Sequence, residues 1–117
     1  MVSLYTQLTQ FRETTKLYHF QCGSYAEHKS SDDILKTYDD LYDTFFEAWQ
    51  GIEGRLKITD DVVIRYNSSL SKSDMIVVIN FIIDILNEFT HRSVDLLNIR
   101  DEMVGCLNKF KYLLSFN

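Results

Sequence analysis

The chain has no proline and only four glycines in 117 residues. Because these residues mark the breaks of a many-turned β fold, their scarcity favours long, uninterrupted helices. Cysteine is also scarce, and its two positions, Cys22 and Cys106, are too few for a disulfide framework. Both thiols are therefore expected to be reduced, as in a cytoplasm.

Basic residues are in the minority. Twelve lysines and arginines stand against seventeen acidic residues, which gives a formal net charge of −5. Proteins that bind a phosphate backbone rely on clustered Lys and Arg, so nucleic acid is not an expected partner. The first residues lack the pattern of a signal peptide, and the apolar stretch Ile76–Leu86, interrupted by Asn80 and Asp84, is too short to cross a bilayer. We expect a cytoplasmic protein without a membrane partner.

The apolar content is sufficient for one core. Hydrophobic residues make up 45% of the chain and aromatic residues 14%. A chain of this length is too short for two ordinary cores, so we predict a single domain over residues 1–117.

Two amphipathic helices are predicted in the first half. The first runs from about Ser3 to Gln21, where apolar residues recur at three- and four-residue steps. Gly23 and Ser24 are expected to end it and to cap the second helix, which should run to Gln50 and stop at Gly51. The predicted core positions are Leu4, Leu8, Phe11, Thr15, Tyr18 and Cys22 on the first helix and Ile34, Leu35, Tyr38, Leu41, Tyr42, Phe45, Phe46 and Trp49 on the second.

The segment between residues 52 and 72 has a different pattern. Apolar residues alternate with polar ones on both sides of Thr59-Asp60-Asp61, which predicts a short β-hairpin. The alternating residues are Leu56, Ile58, Val62, Ile64 and Tyr66. The polar residues 67–73 that follow are predicted to be a linker.

Two further helices are predicted in the second half. The third runs from about Asp74 to Thr90 and, being apolar on nearly all sides, should be the most buried helix. The fourth runs from about Val94 to Ser115, although one long bent helix is an open alternative. The inward positions of the fourth helix are predicted to be Leu97, Val104, Leu107, Phe110, Tyr112 and Leu114. An all-α, antiparallel four-helix bundle with a longer second connection is the economical interpretation.

Histidines and carboxylates cluster around the first helix break. His19 and His28 lie on either side of Gly23-Ser24 in the stretch YHFQCGSYAEHK. At 100° per residue, four acidic residues of the second helix fall within about 100° of His28. They are Asp32, Asp39, Asp43 and Glu47, here called the acidic ridge. The ridge is either a solvated helix face or part of a divalent metal site, since imidazole and carboxylate suit Fe, Mn or Zn.

The order and spacing of these residues resemble the Dps-type, or mini-ferritin, branch of the ferritin-like superfamily. That pattern is a histidine at the end of helix one, then His-x-x-x-Asp, then Asp-x-x-x-Glu eleven residues later. Here it is matched by His19, by His28 with Asp32, and by Asp43 with Glu47. The resemblance covers about residues 16–55. The whole chain is closest in look to small uncharacterised ferritin-like proteins of phage and bacteria.

The resemblance implies a ferritin-like bundle with a metal site between two subunits. His19, His28 and Asp32 would be metal ligands from one chain, and Asp43 and Glu47 from its partner. Asp32 and Asp43 are separated by about 16 Å of helical rise, so one chain cannot easily close both halves around one ion. The implied activity is binding and oxidation of Fe(II), with Zn or Mn as alternatives to iron. The protein would then be a homodimer or a larger homo-oligomer, and no residue beyond the ligands is assigned a catalytic role.

Two other function classes stay open. The chain could be a non-enzymatic interaction module, possibly phage-encoded, that binds a protein partner through apolar helix faces. It could also be a zinc-stabilised dimer without redox chemistry. The single Glu88-x-x-His91 motif is interpreted as an ordinary helix end, because di-iron bundles use such motifs in pairs. Cys22 is interpreted as a buried thiol rather than a ligand.

Overall fold

The computed structural model describes residues 1–65 and 70–116, which form four α-helices connected by loops. The helices are α1 (Val2–Gln21), α2 (Tyr25–Glu53), α3 (Lys72–Glu88) and α4 (Val94–Leu114). No β-strand occurs in the two described ranges. The predicted all-α class is therefore confirmed.

The helices pack as a four-membered ring around one core. α1 contacts α2 and α3, and α4 contacts the same two helices, whereas the diagonal pairs do not pack together. All four helices contribute fully buried apolar side chains, so the core is continuous along the bundle. This arrangement is a four-helix bundle, as predicted.

Contacts at one end of the bundle fix the helix directions. His91, in the loop after α3, bonds to Glu53 at the end of α2 with an Nε2–Oε1 distance of 2.8 Å. The Phe45 and Phe89 rings also meet edge to face, with centroids 5.3 Å apart. The C-terminal ends of α2 and α3 therefore lie at the same end, so these two diagonal helices are parallel and all adjacent pairs are antiparallel.

This geometry requires a crossover between α2 and α3. The connection, residues 54–71, must return from one end of the bundle to the other. On the way it passes α1, where the Arg65 backbone N–H donates to the Gln10 Oε1 at 3.1 Å. A bundle with one long crossover is a recognised alternative to the simple up-down-up-down arrangement.

The end of α2 lies three residues beyond its predicted position. Gly51 does not stop the helix, which continues to Glu53 and ends at Gly54. Gly54 has φ 93°, in the left-handed region that favours glycine. Glycine inside a helix costs only about 1 kcal/mol, which tertiary packing of a long helix readily offsets.

The predicted β-hairpin is wrong. Described residues 54–65 form no strand, and Tyr66 and the first part of the predicted linker lie outside the described residues. Of the described alternating residues, Leu56, Val62 and Ile64 are half-buried and Ile58 is exposed, as are the polar side chains between them. An extended crossover that lies along a bundle produces the same period of two as a strand.

Helix α3 begins earlier and is less buried than predicted. Its N-cap is Ser71, whose hydroxyl accepts from the Asp74 N–H while the Asp74 carboxylate accepts from the Ser71 N–H, a capping box. Val77 and Phe81 are 68% and 53% exposed, because α3 packs only against α1 and α4. The prediction that α3 is the most buried helix is therefore wrong.

Helix α4 is separate from α3, so the single bent helix is excluded. Its buried face is rotated from the predicted one. Leu107, Phe110 and Leu114 are buried as expected, but Leu97 and Val104 are only half-buried and Tyr112 is exposed. The remaining buried residues of α4 are Leu96, Met103 and Cys106.

None of the described helices combines the length and the apolar character of a membrane span.

Candidate functional site

The turn between α1 and α2 is held by a capping network. The Ser24 hydroxyl accepts from the Glu27 N–H at 3.1 Å and donates to the Glu27 Oε2 at 2.7 Å. The other Glu27 oxygen accepts a very short hydrogen bond from the hydroxyl of Tyr18 on α1. This network confirms the predicted break at Gly23-Ser24 and fixes the start of α2 against the end of α1.

Hydrogen bonding shifts the pKa values of this network. The bond from Tyr18, followed by that from Ser24, lowers the pKa of the Glu27 carboxyl. Burial, together with the bond to Glu27, raises the pKa of the Tyr18 hydroxyl well above its usual range. Tyr18 therefore stays a neutral donor to an ionised Glu27 at neutral pH.

His19 and His28 form a reciprocal pair across the turn. The His19 Nδ1 donates to the His28 carbonyl oxygen and the His28 Nδ1 donates to the His19 carbonyl oxygen, both at 3.0 Å. The rings stack with centroids 3.9 Å apart and an interplanar angle of 23°. His19 is buried, whereas His28 lies exposed at the start of α2. The structure therefore brings the two predicted histidines together.

The pairing determines which ring nitrogens are available. Because a carbonyl can only accept, each Nδ1 carries the proton, and in a neutral ring the Nε2 is then unprotonated. A histidine that ligates a metal in proteins commonly donates its other nitrogen to a carbonyl or carboxylate in this way. Ser31 reinforces the His19 orientation, since its Oγ lies 3.1 Å from the His19 Nδ1.

Asp32 lies one turn after His28 and is half-buried. Lys36, one turn further, donates from Nζ to the Asp32 Oδ2 at 3.2 Å. This bond, together with the positive charge of Lys36, lowers the pKa of the Asp32 carboxyl. Asp32 therefore lies one helical turn from His28 with its carboxylate paired to a lysine.

Asp43 and Glu47 are remote from this cluster. Both lie further along α2 with exposed side chains. In residues 1–65 and 70–116 of one protomer, no three His, Cys, Asp or Glu side chains are close enough to hold a metal ion. The chemistry of the donor set suits Fe, Mn or Zn, but the five predicted ligands can meet around one ion only if a second copy contributes.

The remaining ridge residue, Asp39, pairs with α1. Arg12 donates from Nε to the Asp39 Oδ1 at 2.6 Å and from an Nη to the Oδ2 at 3.3 Å. The acidic ridge is therefore divided into two paired carboxylates, those of Asp32 and Asp39, and two exposed ones, those of Asp43 and Glu47.

Two further residues of types that bind metals, His91 and Cys22, make hydrogen bonds within the fold. His91 Nε2 donates to Glu53, and its Nδ1 accepts from the Ser93 N–H at 2.9 Å, so this imidazole ties the α3–α4 loop to α2. The thiol of Cys22 is half-buried rather than buried and donates weakly to the His19 carbonyl at 3.5 Å.

Sequence reasoning missed the part played by Glu27 and Ser31. The signal for Glu27 was present, since Ser24-x-x-Glu27 is the capping-box pattern. No comparable signal marks Ser31, because a serine inside a helix is usually solvent-facing or bonded to its own backbone.

The sequence of this chain matches the model of one protein family. Residues 19–114 match the model of the "Family of unknown function (DUF5856)". The chain belongs to this family. The matched range begins at His19 and contains all five predicted ligands.

A phage protein is among the relatives of this DUF5856 chain. It is 34% identical over 98 residues to the "Uncharacterized 14.6 kDa protein in mobD-ri intergenic region" of Enterobacteria phage T4. The match covers 83% of this chain and 73% of the phage protein. No solved structure matches the chain significantly.

Proposed function

We propose that the protein is a metal-binding protein whose site is completed between two copies of the chain. His19, His28 and Asp32 of one protomer form one half, and Asp43 and Glu47 of a second protomer form the other. The reciprocal hydrogen bonding of His19 and His28 carries this proposal. It fixes both imidazoles and leaves the Nε2 of each without a hydrogen bond to any residue in the described part of the chain.

The exposure of the other donors supports an intermolecular site. His28, Asp43 and Glu47 are accessible to a partner, and α2 spans about 43 Å, enough to hold both halves on one helix. In an antiparallel arrangement of two α2 helices, the acidic half of one copy would lie against the histidine half of the other. A bound cation would also offset repulsion among the carboxylates, which costs a few tenths of a kcal/mol per i,i+4 pair.

The connectivity of the bundle supports the resemblance stated above. Ferritin-like bundles have one long crossover, and residues 54–71 form a connection of that kind. On that resemblance Fe(II) is the expected substrate, with an external oxidant such as hydrogen peroxide accepting the electrons. The residues of this chain would bind and position the ion, and Asp32 would have to leave Lys36 to take part.

The test is an anaerobic Fe(II) titration by calorimetry, combined with measurement of mass by light scattering. It compares the unchanged protein with His28→Ala and with the double variant Asp43→Ala/Glu47→Ala. Glu102→Ala, an exposed acidic residue on α4, is the matched control. We expect saturable, micromolar binding and a dimeric mass in the unchanged protein and the control, and loss of binding in both site variants.

Three results would overturn parts of the proposal. Flat heats for the unchanged protein would remove the metal site. Loss of binding in His28→Ala alone would remove the contribution of the second protomer. Fe(II) binding without oxidation under peroxide would leave a metal site but not a ferroxidase, and a parallel titration with Zn(II) would then identify a metal-stabilised dimer.

A second candidate is supported by the outer surface of α3. Val77 and Phe81 are one turn apart and mostly exposed, and such neighbouring apolar residues are typical of partner-binding helices. On this alternative the protein is a non-enzymatic interaction module, and the acidic ridge only solvates the bundle. Flat Fe(II) heats for the unchanged protein, together with an unchanged mass of the Asp43→Ala/Glu47→Ala variant, would favour it.

A further inference from the structure

A crevice of about 400 Å³ opens between α1 and α3, away from the histidine pair. Its volume is within the range of about 300–1,000 Å³ that is typical of small-ligand pockets. The apolar lining comes from Phe11 on α1 and from Val78, Phe81 and Ile82 on α3. Gln7, Gln10 and Thr14 of α1 and Arg65 of the crossover complete the described lining together with Val77 of α3.

Two polar side chains of the crevice, Thr14 and Gln10, have a hydrogen-bond donor to offer. Thr14 is only 6% exposed, and its hydroxyl has no hydrogen-bond partner among the residues that the structure describes. Gln10 uses its amide oxygen to accept from the Arg65 backbone, which leaves its amide nitrogen to donate. An occupant that accepts from Thr14 would give this hydroxyl a hydrogen bond that no described residue supplies.

Arg65 gives the crevice its charge. It is the one charged residue in the described lining, and the backbone bond to Gln10 fixes it beside α1. Its guanidinium makes no ion pair with any described side chain. An unpaired guanidinium can bind a carboxylate through two parallel hydrogen bonds.

The geometry points to a binding site for a small amphiphile with a linear apolar chain and a carboxylate head. The chain packs against Phe81, Val78 and Ile82. The carboxylate accepts from the Arg65 guanidinium and the Thr14 hydroxyl. This site is independent of the metal proposal, since it shares no residue with the acidic ridge or the histidine pair.

The experiment compares octanoate with 1-octanol, two probes with the same chain length and different head groups. Binding to the full chain is followed by amide NMR shifts, which locate the site as well as measure affinity. We expect saturable shifts in α1 and α3 for both probes, with octanoate binding about tenfold more tightly, as one charge-assisted pair predicts. Arg65→Ala should reduce octanoate affinity to that of octanol and leave octanol affinity unchanged.

Two further variants make the result specific. Val77→Asp places a negative charge on an exposed position of the lining, so it should weaken octanoate much more than octanol and leave the fold intact. Arg55→Ala removes another arginine of the crossover, one that does not line the crevice, and should change nothing. Equal affinities for the two probes, or an unchanged octanoate affinity in Arg65→Ala, would overturn the carboxylate assignment. Shifts elsewhere, or no saturation at millimolar probe, would overturn the site.

Discussion

The contact between Tyr18 and Glu27 allows the most demanding test of the structure. Tyr18 is 1% exposed, and its hydroxyl donates to a carboxylate that also accepts from Ser24. Glu27→Ala removes a charge-assisted bond and leaves the Tyr18 hydroxyl buried without a partner, at a cost of about 2.5 kcal/mol. Tyr18→Phe alone should cost about 1 kcal/mol, because Glu27 can turn to water.

The double variant measures the coupling between the two residues. Once Tyr18 is phenylalanine, Glu27→Ala removes only the bond with Ser24, at about 0.5 kcal/mol. The single effects should therefore exceed the double effect by about 2 kcal/mol. Urea denaturation at pH 7 measures all four free energies of unfolding, with Glu102→Ala as an exposed control. Additive effects, within about 0.3 kcal/mol, would refute the contact.

Three shorter predictions concern other parts of the chain. Gly51→Ala should raise the free energy of unfolding by about 0.5–1 kcal/mol, since an added Cβ there meets open space inside a helix. Gly54→Ala should lower the free energy of unfolding by about 1 kcal/mol, because the backbone there has φ 93°. Effects of the same sign for both variants in urea denaturation would contradict the observed helix end. Asp74→Asn should lower Tm at neutral pH and have little effect in strong acid. Hydrogen bonds at the α3 N-cap lower the pKa of Asp74, so its stabilisation is complete above the unfolded pKa and is lost as pH falls through the folded one; a Tm difference that persists in acid would contradict this. Cys22 should react with a thiol reagent before Cys106, because burial raises the pKa of the Cys106 thiol to about 11. Equal reaction rates of the two thiols, measured by mass spectrometry, would be inconsistent with the packing.

Local signals in the sequence were sufficient for much of the fold. The break at Gly23-Ser24 is encoded by adjacent residues, and the structure contains it where it was predicted. The end of α2 could not be placed in the same way, because Gly51 and Gly54 both suit a helix stop. Only the left-handed backbone at Gly54 distinguishes them, and it depends on where the chain must go next.

Features that depend on residues far apart in the sequence could not be predicted from it. Whether Leu56 to Ile64 pair with each other or lie on the bundle depends on the crossover, which follows from the helix directions. The exposure of Val77 and Phe81 likewise depends on which neighbours α3 has. Apolar content alone could not show that one side of this helix lacks a partner.

Only the local part of the candidate site could be predicted from the sequence. His19 and His28 are close in sequence on both sides of a recognisable turn, so their proximity could be expected, and the structure confirms it. Their reciprocal hydrogen bonds to backbone carbonyls could not be predicted, since these bonds depend on the packing of α1 against α2. The predicted metal, its oxidation and the contribution of Asp43 and Glu47 from a second chain stay predictions.

The crossover also divides the protein into two halves that could exist as separate polypeptides. Each half is a helical hairpin, α1–α2 or α3–α4, and both hairpins contribute buried side chains to one shared core. A chain break in residues 54–65 would leave both hairpins whole, and only a covalent tether would be lost. Such a tether sets an effective concentration in the millimolar range, so the two fragments should reassemble at a concentration that reports the affinity of the halves. The fold is thus suited to use as a split protein, in which reconstitution can be switched by whatever brings the fragments together.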